Sequence, residues 1–452
     1  MRLSSSNSLT EGSLPRGILL FSLPLILSNI LQVLFNMSDI AVVGQFAGSH
    51  ALGSVGSTTI IVALFTNILI GVGAGVNVVV ARYIGAKEDK NVSDTVHSSA
   101  LICLLCGLAL MMIGLLINRP LLELMGTKEE LIDGAELYLR IYFCGMPALA
   151  IYNFGNGVLS ASGNTGKPLV YMLIAGILNV ILNLFFVIVF SLDVAGVAIA
   201  SILSQYVSAA LVLSALLRSN EVYAFRFAKL RFTKDKAKQV ALLGISTGLQ
   251  NAIFQAANLF VQAGVNTFDA TTVEGNSAAT NADALVYDVM AAFYVACSSF
   301  MSQNFGAHKK KRVRDSFFIS ISYALVIGLV MGVGIYLAGE RFLHIFTKDD
   351  AVAKAGMARL SVMALSYGFS ALMDGAIAAS RGLGRSGVPT VIVIMGSCVF
   401  RIFWVYTVFA HFGTIQSLYL VYISSWTITA IAELLYFRYV YKKIVSPLPD
   451  SA

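Results

Sequence analysis

Apolar residues in this chain come in runs long enough to cross a lipid bilayer, and that property excludes most folds. Ile18 to Leu27, Leu101 to Ile117 and Leu169 to Phe190 are examples. Crossing the hydrocarbon core takes about 20 predominantly apolar residues. Only helices and closed barrels satisfy their backbone groups there, and these runs lack the alternation of barrel strands. Only 12% of the residues are charged, against about 25% in a soluble domain. The fold class is therefore all-α and polytopic in the membrane.

Polar or Gly/Pro-rich breaks between the runs predict twelve helices, at about 18–43, 52–81, 95–117, 134–160, 168–190, 195–217, 239–267, 279–304, 316–338, 355–379, 389–409 and 417–438. The polar opening segment lacks the apolar core and cleavage site of a signal peptide, so the first helix is expected to be retained. Lys and Arg then set the orientation, because they are enriched in cytoplasmic loops. With the N-terminus in the cytoplasm, 23 of the 31 fall on that side and seven on the other, while Arg401 lies inside the eleventh helix. Both termini are expected in the cytoplasm. The net charge of +7 then reads as topology and anionic-lipid contact, and no nucleic-acid partner is expected.

The two halves echo each other at an offset near 220. Tyr83-Ile84-Gly85-Ala86-Lys87 is answered by Asn304-Phe305-Gly306-Ala307-His308, and Thr127-Lys128-Glu129-Glu130 by Thr347-Lys348-Asp349-Asp350. The Gly/Pro-rich stretch from Ser162 to Pro168 is answered by the one from Ser380 to Pro389. Six helices per copy is an even number, so both copies have the same orientation, which is a parallel transporter-type repeat. The expected layout is a cytoplasmic segment 1–17, an N-lobe 18–217 and a basic linker 218–238. A C-lobe 239–438 and a cytoplasmic tail 439–452 follow.

Ionisable residues inside a membrane helix are costly and are functional candidates by default. Asn29, Gln32, Asn36 and Asp39 recur at spacings of three and four, which places them on one face of the first helix. Removal from water disfavours the charged form of a carboxyl, so Asp39 is a candidate for reversible protonation. Pro24, fifteen residues earlier, is a candidate hinge. Asn179 and Asn183 share a face of the fifth helix, and Ser201 lies on the sixth. The second half offers Asp283, Asp288 and Asp374, with Arg401 as the one basic residue well inside a helix; a purely structural reading of Asp374 is an ion pair with Arg401 on the next helix. Glu433 is read as structural, beside Arg438.

Other features have plain explanations. Cys103-x-x-Cys106 lies in an apolar run without a second ligand pair, and the five histidines have no metal-ligand spacing, so no metal or organic cofactor is expected. Gly71-x-Gly73-x-Gly75 and Gly328-x-x-x-Gly332 suit close helix packing. Gly382-x-Gly384-x-x-Gly387 follows a membrane helix where a dinucleotide fingerprint needs a strand.

Taken as an ordered set, these residues resemble the multidrug and toxic compound extrusion (MATE) transporters. The set comprises the twelve-helix duplication, Asp39-x-x-x-x-Gly44 closing the first helix, the paired Gly-Ala turns and the breaks after the fourth and tenth helices. The resemblance spans roughly 15–440 and leans towards the DinF-like branch. It implies antiport of H⁺ or Na⁺ against organic cations or amphipathic compounds across a bacterial plasma membrane; no obligatory protein partner is expected, and a monomer is the expected state. It also implies a coupling site of Asp39, Asn179, Asn183 and Ser201. Asn183 stands where that branch has a second carboxylate. Asp374 matches an acid of the NorM-like branch, whose seventh-helix glutamate is absent; Gln250 and Gln255 are the nearest polar groups. A flippase for lipid-linked saccharide precursors is the alternative within the superfamily, and a membrane-embedded enzyme is a third reading that lacks a catalytic cluster.

Overall fold

The computed structural model of the chain describes residues 8–449. Arg2 and residues 450–452, parts of the expected cytoplasmic ends, lie outside them. The described residues contain no strand. They form α1 (Leu14–Val42), α2 (Gly48–Gly85), α3 (Asp89–Leu124), a broken α4 (Glu129–Phe143 and Met146–Ala161), α5 (Gly166–Val189) and α6 (Asp193–Arg218). The second half supplies α7 (Lys234–Val265), α8 (Ala270–Gly306), α9 (Lys310–Ala338), α10 (Asp350–Gly382), α11 (Gly387–Phe412) and α12 (Ile415–Val445). Among the described residues helices overlap all twelve predicted runs, and ten helical stretches are long and apolar enough to cross a membrane. Large side chains such as Leu116, Val330, Leu337 and Leu435 are exposed on them, as lipid contact requires.

The break in α4 has a local cause. Pro147 lacks the N–H that a continuous helix would use, and it sits in the first turn of the second piece, where that N–H is dispensable. At the break the Cys144 carbonyl accepts a 2.9 Å hydrogen bond from the Tyr206 hydroxyl of α6.

The sequence echoes become matching turns. Lys87 and His308 both have left-handed backbones, with φ of 57° and 56°. Around each, the same two bonds close the helix: Lys87 N to Ile84 O and Glu88 N to Tyr83 O, then His308 N to Phe305 O and Lys309 N to Asn304 O. Gly163 and Gly384, with φ of 87° and 78°, are a second matched pair. A left-handed residue costs about 1 kcal/mol unless it is glycine, so its recurrence at Lys87 and His308 marks a conserved turn geometry within one chain.

Chain contacts define two compact units, one built on Leu27–Ala252 and the other on Leu9–Ile26 with the chain from Ile253 onward. These cuts fall inside α1 and α7, and differ from the expected boundary at 218–238. The basic segment is fastened to the first unit instead. Arg231 pairs with Asp94, Arg226 N donates to His97 Nε2 at 3.0 Å, and Thr233 N donates to Ser98 Oγ at 3.0 Å.

Glycines set the closest helix contacts in each unit. In the first, a Cβ on Gly71 of α2 would lie 2.2 Å from the Gly248 nitrogen of α7, and one on Gly75 would lie 2.7 Å from the Gly244 nitrogen. In the second, a Cβ on Gly275 of α8 would lie 2.7 Å from the Gly356 nitrogen of α10. Gly328 and Gly332 likewise let α9 approach Met290 and the Ala364 carbonyl.

Candidate coupling site and a second polar interior

In the first unit, α1 meets α5 through a ring on a glycine. A Cβ on Gly176 would lie 1.8 Å from the Phe35 ring, so only glycine admits this seat. One turn further along α1, Asp39 reaches the polar face of α5. Asn183 Nδ2 donates to Asp39 Oδ1 at 2.5 Å and also contacts Asn179 Oδ1 at 3.3 Å. Asn179 Nδ2 in turn lies 3.5 Å from Ser201 Oγ on α6. The four expected residues are thus brought together as one chain of contacts.

Asn183 is fully buried, and its Oδ1 has no partner. Asp39 is the single carboxylate in this line of contacts, and its hydrogen-bond partner, Asn183, is neutral. Tyr138 and Tyr142 of α4, stacked at 5.7 Å, lie within electrostatic reach of Asp39. Sequence reasoning missed them, although their spacing of four on one helix was a usable signal. Gln32 and Asn36 are exposed on the same helix, while Asn29 is half-buried. Pro24 lies inside a continuous α1, two residues before the chain passes from one unit to the other.

The second unit has a different interior. Arg359 of α10 is buried and holds Asp283 of α8 in an ion pair of 2.6 Å. Tyr367 donates to the other carboxylate oxygen at 2.5 Å, and Arg359 Nη1 donates to Asn276 Oδ1 at 2.9 Å. Arg401 is therefore not the one cation inside a helix. Arg359, expected near the outer end of its helix, is buried because Asp283 stands 76 residues away in sequence and beside it in space.

Asp374 accepts from Ser370 at 3.0 Å and is not ion-paired to Arg401. Arg401 instead donates to Asn258 Oδ1 at 2.5 Å and to Ser425 Oγ at 3.2 Å. Glu433 also departs from expectation. It is fully buried, with neither carboxylate oxygen hydrogen-bonded, and within electrostatic reach of Arg381 and Asp374. Asp288 is half-buried on α8. Gln255 accepts from Asn258 at 3.4 Å, whereas Gln250 belongs to the first unit. No group of His, Cys, Asp and Glu among the described residues could hold a metal ion.

Helix geometry changes beside the polar residues of both units. A π-helical turn at Val43–Ala47 follows Asp39, and one at Phe185–Val189 follows Asn183. Two more, Ile394–Val399 and Val405–Phe409, flank Arg401. Such turns are rare and concentrate at functional sites.

The MatE family model matches this chain twice, over residues 24–185 and 247–407. The chain belongs to the MatE family. Its members are membrane transporters and not enzymes, which makes this chain a multi-pass transporter. The double match places one family copy in each half of the sequence, as the turn echoes predict.

Among MatE relatives, a probable multidrug resistance protein of Bacillus subtilis, YpnP, is 27% identical, with 80% of each chain aligned. An FAD transporter of Shewanella oneidensis is 26% identical over 80% of this chain and 81% of its own. In fold, a MOP superfamily transporter from Pyrococcus furiosus superposes with a TM-score of 0.91, covering 98% of this chain and 99% of that one at 20% identity.

Proposed function

We propose that this MatE transporter exports small organic compounds, cationic or amphipathic, against an inward flow of H⁺ or Na⁺, by alternating access and with both termini in the cytoplasm. Relatives named as multidrug resistance and multidrug export proteins support export as its direction. The coupling role is carried by one observation: a lone carboxylate, Asp39, contacted by the amide of fully buried Asn183.

The chemistry follows from what each group can donate. Ionised Asp39 only accepts, and Asn183 Nδ2 serves it. Once protonated, Asp39 also donates, and Asn183 Oδ1 is an unused acceptor in the same amide. Proton uptake therefore favours rotation of that amide, which breaks its contact with Asn179 and unsettles the seat of α1 on α5. A bound Na⁺ would compete for the same oxygens. Either event weakens a cation held nearby, so cargo leaves as the coupling ion enters.

The flippase alternative calls for several free cations in the interior, whereas Arg359 is committed to Asp283. The test is transport in proteoliposomes with pH and Na⁺ gradients imposed separately, using a fluorescent organic cation. Gradient-driven uptake in wild type and its loss in Asp39→Asn are expected. Undiminished driven transport by Asp39→Asn would remove the coupling role.

A further inference from the structure

Arginine stays charged at any pH a cell meets, so a buried guanidinium needs counter-charge or a full set of acceptors. The second unit contains two such residues treated in opposite ways. Arg359 has a carboxylate at 2.6 Å. Arg401, 0% exposed, has none within ion-pairing distance among the described residues, and its two partners, Asn258 and Ser425, are neutral. Its Nη2 has no acceptor at all.

The walls around it are aromatic. The guanidinium carbon lies 4.6 Å from the Phe254 ring centre, 4.8 Å from that of Tyr422 and 5.9 Å from that of Trp426. Ring faces offset part of the missing counter-charge, but they accept no ordinary hydrogen bond. Trp426 adds an independent observation. It is 8% exposed, and its Nε1–H is also buried without a partner. Two buried donors, one of them cationic, on side chains 5.9 Å apart from guanidinium carbon to ring centre, therefore both lack an acceptor. The charged groups within electrostatic reach are Asp374 and Arg359; Arg359 is already neutralised by Asp283, and Asp374 is hydrogen-bonded to Ser370.

We propose that Arg401 and Trp426 form a subsite for the anionic group, a carboxylate or phosphate, of an aromatic cargo molecule. The guanidinium supplies Nη2–H, the indole supplies Nε1–H, and the rings of Phe254 and Tyr422 take the apolar part of the ligand. The subsite is closed in this conformation. π-helical turns lie on either side of Arg401 in α11, a local departure that concentrates at functional sites. The proposal deepens the export reading by adding zwitterionic and anionic aromatic compounds to the cargo.

The test is equilibrium binding to full-length protein in detergent and phosphate-free buffer, without any gradient. Failure here would leave the coupling role of Asp39 untouched. The probes are 4-phenylbutyrate, 4-phenylbutyramide and 4-phenylbutylamine, which share a ring and chain and differ in charge. Wild type is expected to bind the carboxylate about tenfold more tightly than the amide, as a charge-assisted hydrogen bond allows. Arg401→Gln is expected to erase that preference without weakening the amine. Arg401→Lys should keep part of it. Trp426→Phe, which keeps the ring and removes only the donor, should reduce it severalfold; it decides the matter if Arg401→Gln does not fold. Absence of an anion preference in wild type overturns the proposal, as does a preference that survives both Arg401→Gln and Trp426→Phe.

Discussion

The two units share a helix plan and differ in how they treat charge. The first sets one carboxylate at the end of a line of amides and a hydroxyl, with no ion-pair partner among the described residues. The second fixes one arginine–aspartate pair and leaves another arginine, a glutamate and an aspartate without ion-pair partners among the described residues. A duplicated scaffold thus carries unlike chemistry. The turns are preserved because both copies need the same reversals, whereas a side chain facing the interior is constrained only by its own neighbours. The difference teaches that symmetry of fold does not make the two interiors alike, and that charge has to be followed in each unit separately.

The sharpest way to break this contrast is to neutralise one acid in each unit. Asp39→Asn is expected to reduce gradient-driven export to background, and Asp374→Asn to retain most of it, with initial rates in proteoliposomes as the readout. The reverse ranking would move coupling into the second unit. Stability should show the opposite asymmetry. Arg359→Ala leaves Asp283 buried and unpaired, a loss of about 3–5 kcal/mol for a broken buried pair. Asp39→Asn loses no ion pair and should melt close to wild type. Thermal unfolding of the purified protein separates the two, and equal losses would show that Asp39 is structural.

Much of the architecture could be read from the sequence. Apolar runs mark the spans because lipid leaves the backbone no other partner, and the turns at Lys87 and His308 are each announced by a Gly-Ala pair at the helix end. Helix ends were harder to place. α3 begins at Asp89 and α10 at Asp350, several residues before their apolar runs, because those first turns leave the apolar layer while remaining helical. Asp39, Asn179 and Asn183 were legible from helical periodicity. The pairing of Asp283 with Arg359 was not, since it joins different helices and no local pattern encodes it. Glu433 was misplaced for the same reason: Arg438 is near it in sequence, but the charged groups within its electrostatic reach are Arg381 and Asp374.

Close packing offers a milder comparison. Gly71→Ala would set a methyl group against the backbone of α7, which cannot rotate away, and should cost about 1–3 kcal/mol as overpacking. Gly176→Ala meets only the Phe35 ring, so the double substitution with Phe35→Ala should recover part of its loss. Gly71→Ala has no such rescue. Melting temperatures of the three variants measure whether backbone contact or ring seating limits each helix pair.

Pro24→Ala should have the smallest effect on stability and a more telling one on rate. Proline inside a helix removes one backbone hydrogen bond, yet α1 runs unbroken from Leu14 to Val42 around it. In membrane helices neighbouring groups re-satisfy the freed carbonyl, so restoring the N–H should stabilise by less than about 1 kcal/mol. If α1 flexes where it passes between units, a straighter and stiffer helix should turn over more slowly with unchanged cargo affinity. Initial rates and equilibrium binding, measured together, test this. A Pro24→Ala protein that transports as fast as wild type would show that the move of α1 needs no proline, and would put the flexible point at the π-helical turn after Asp39 instead.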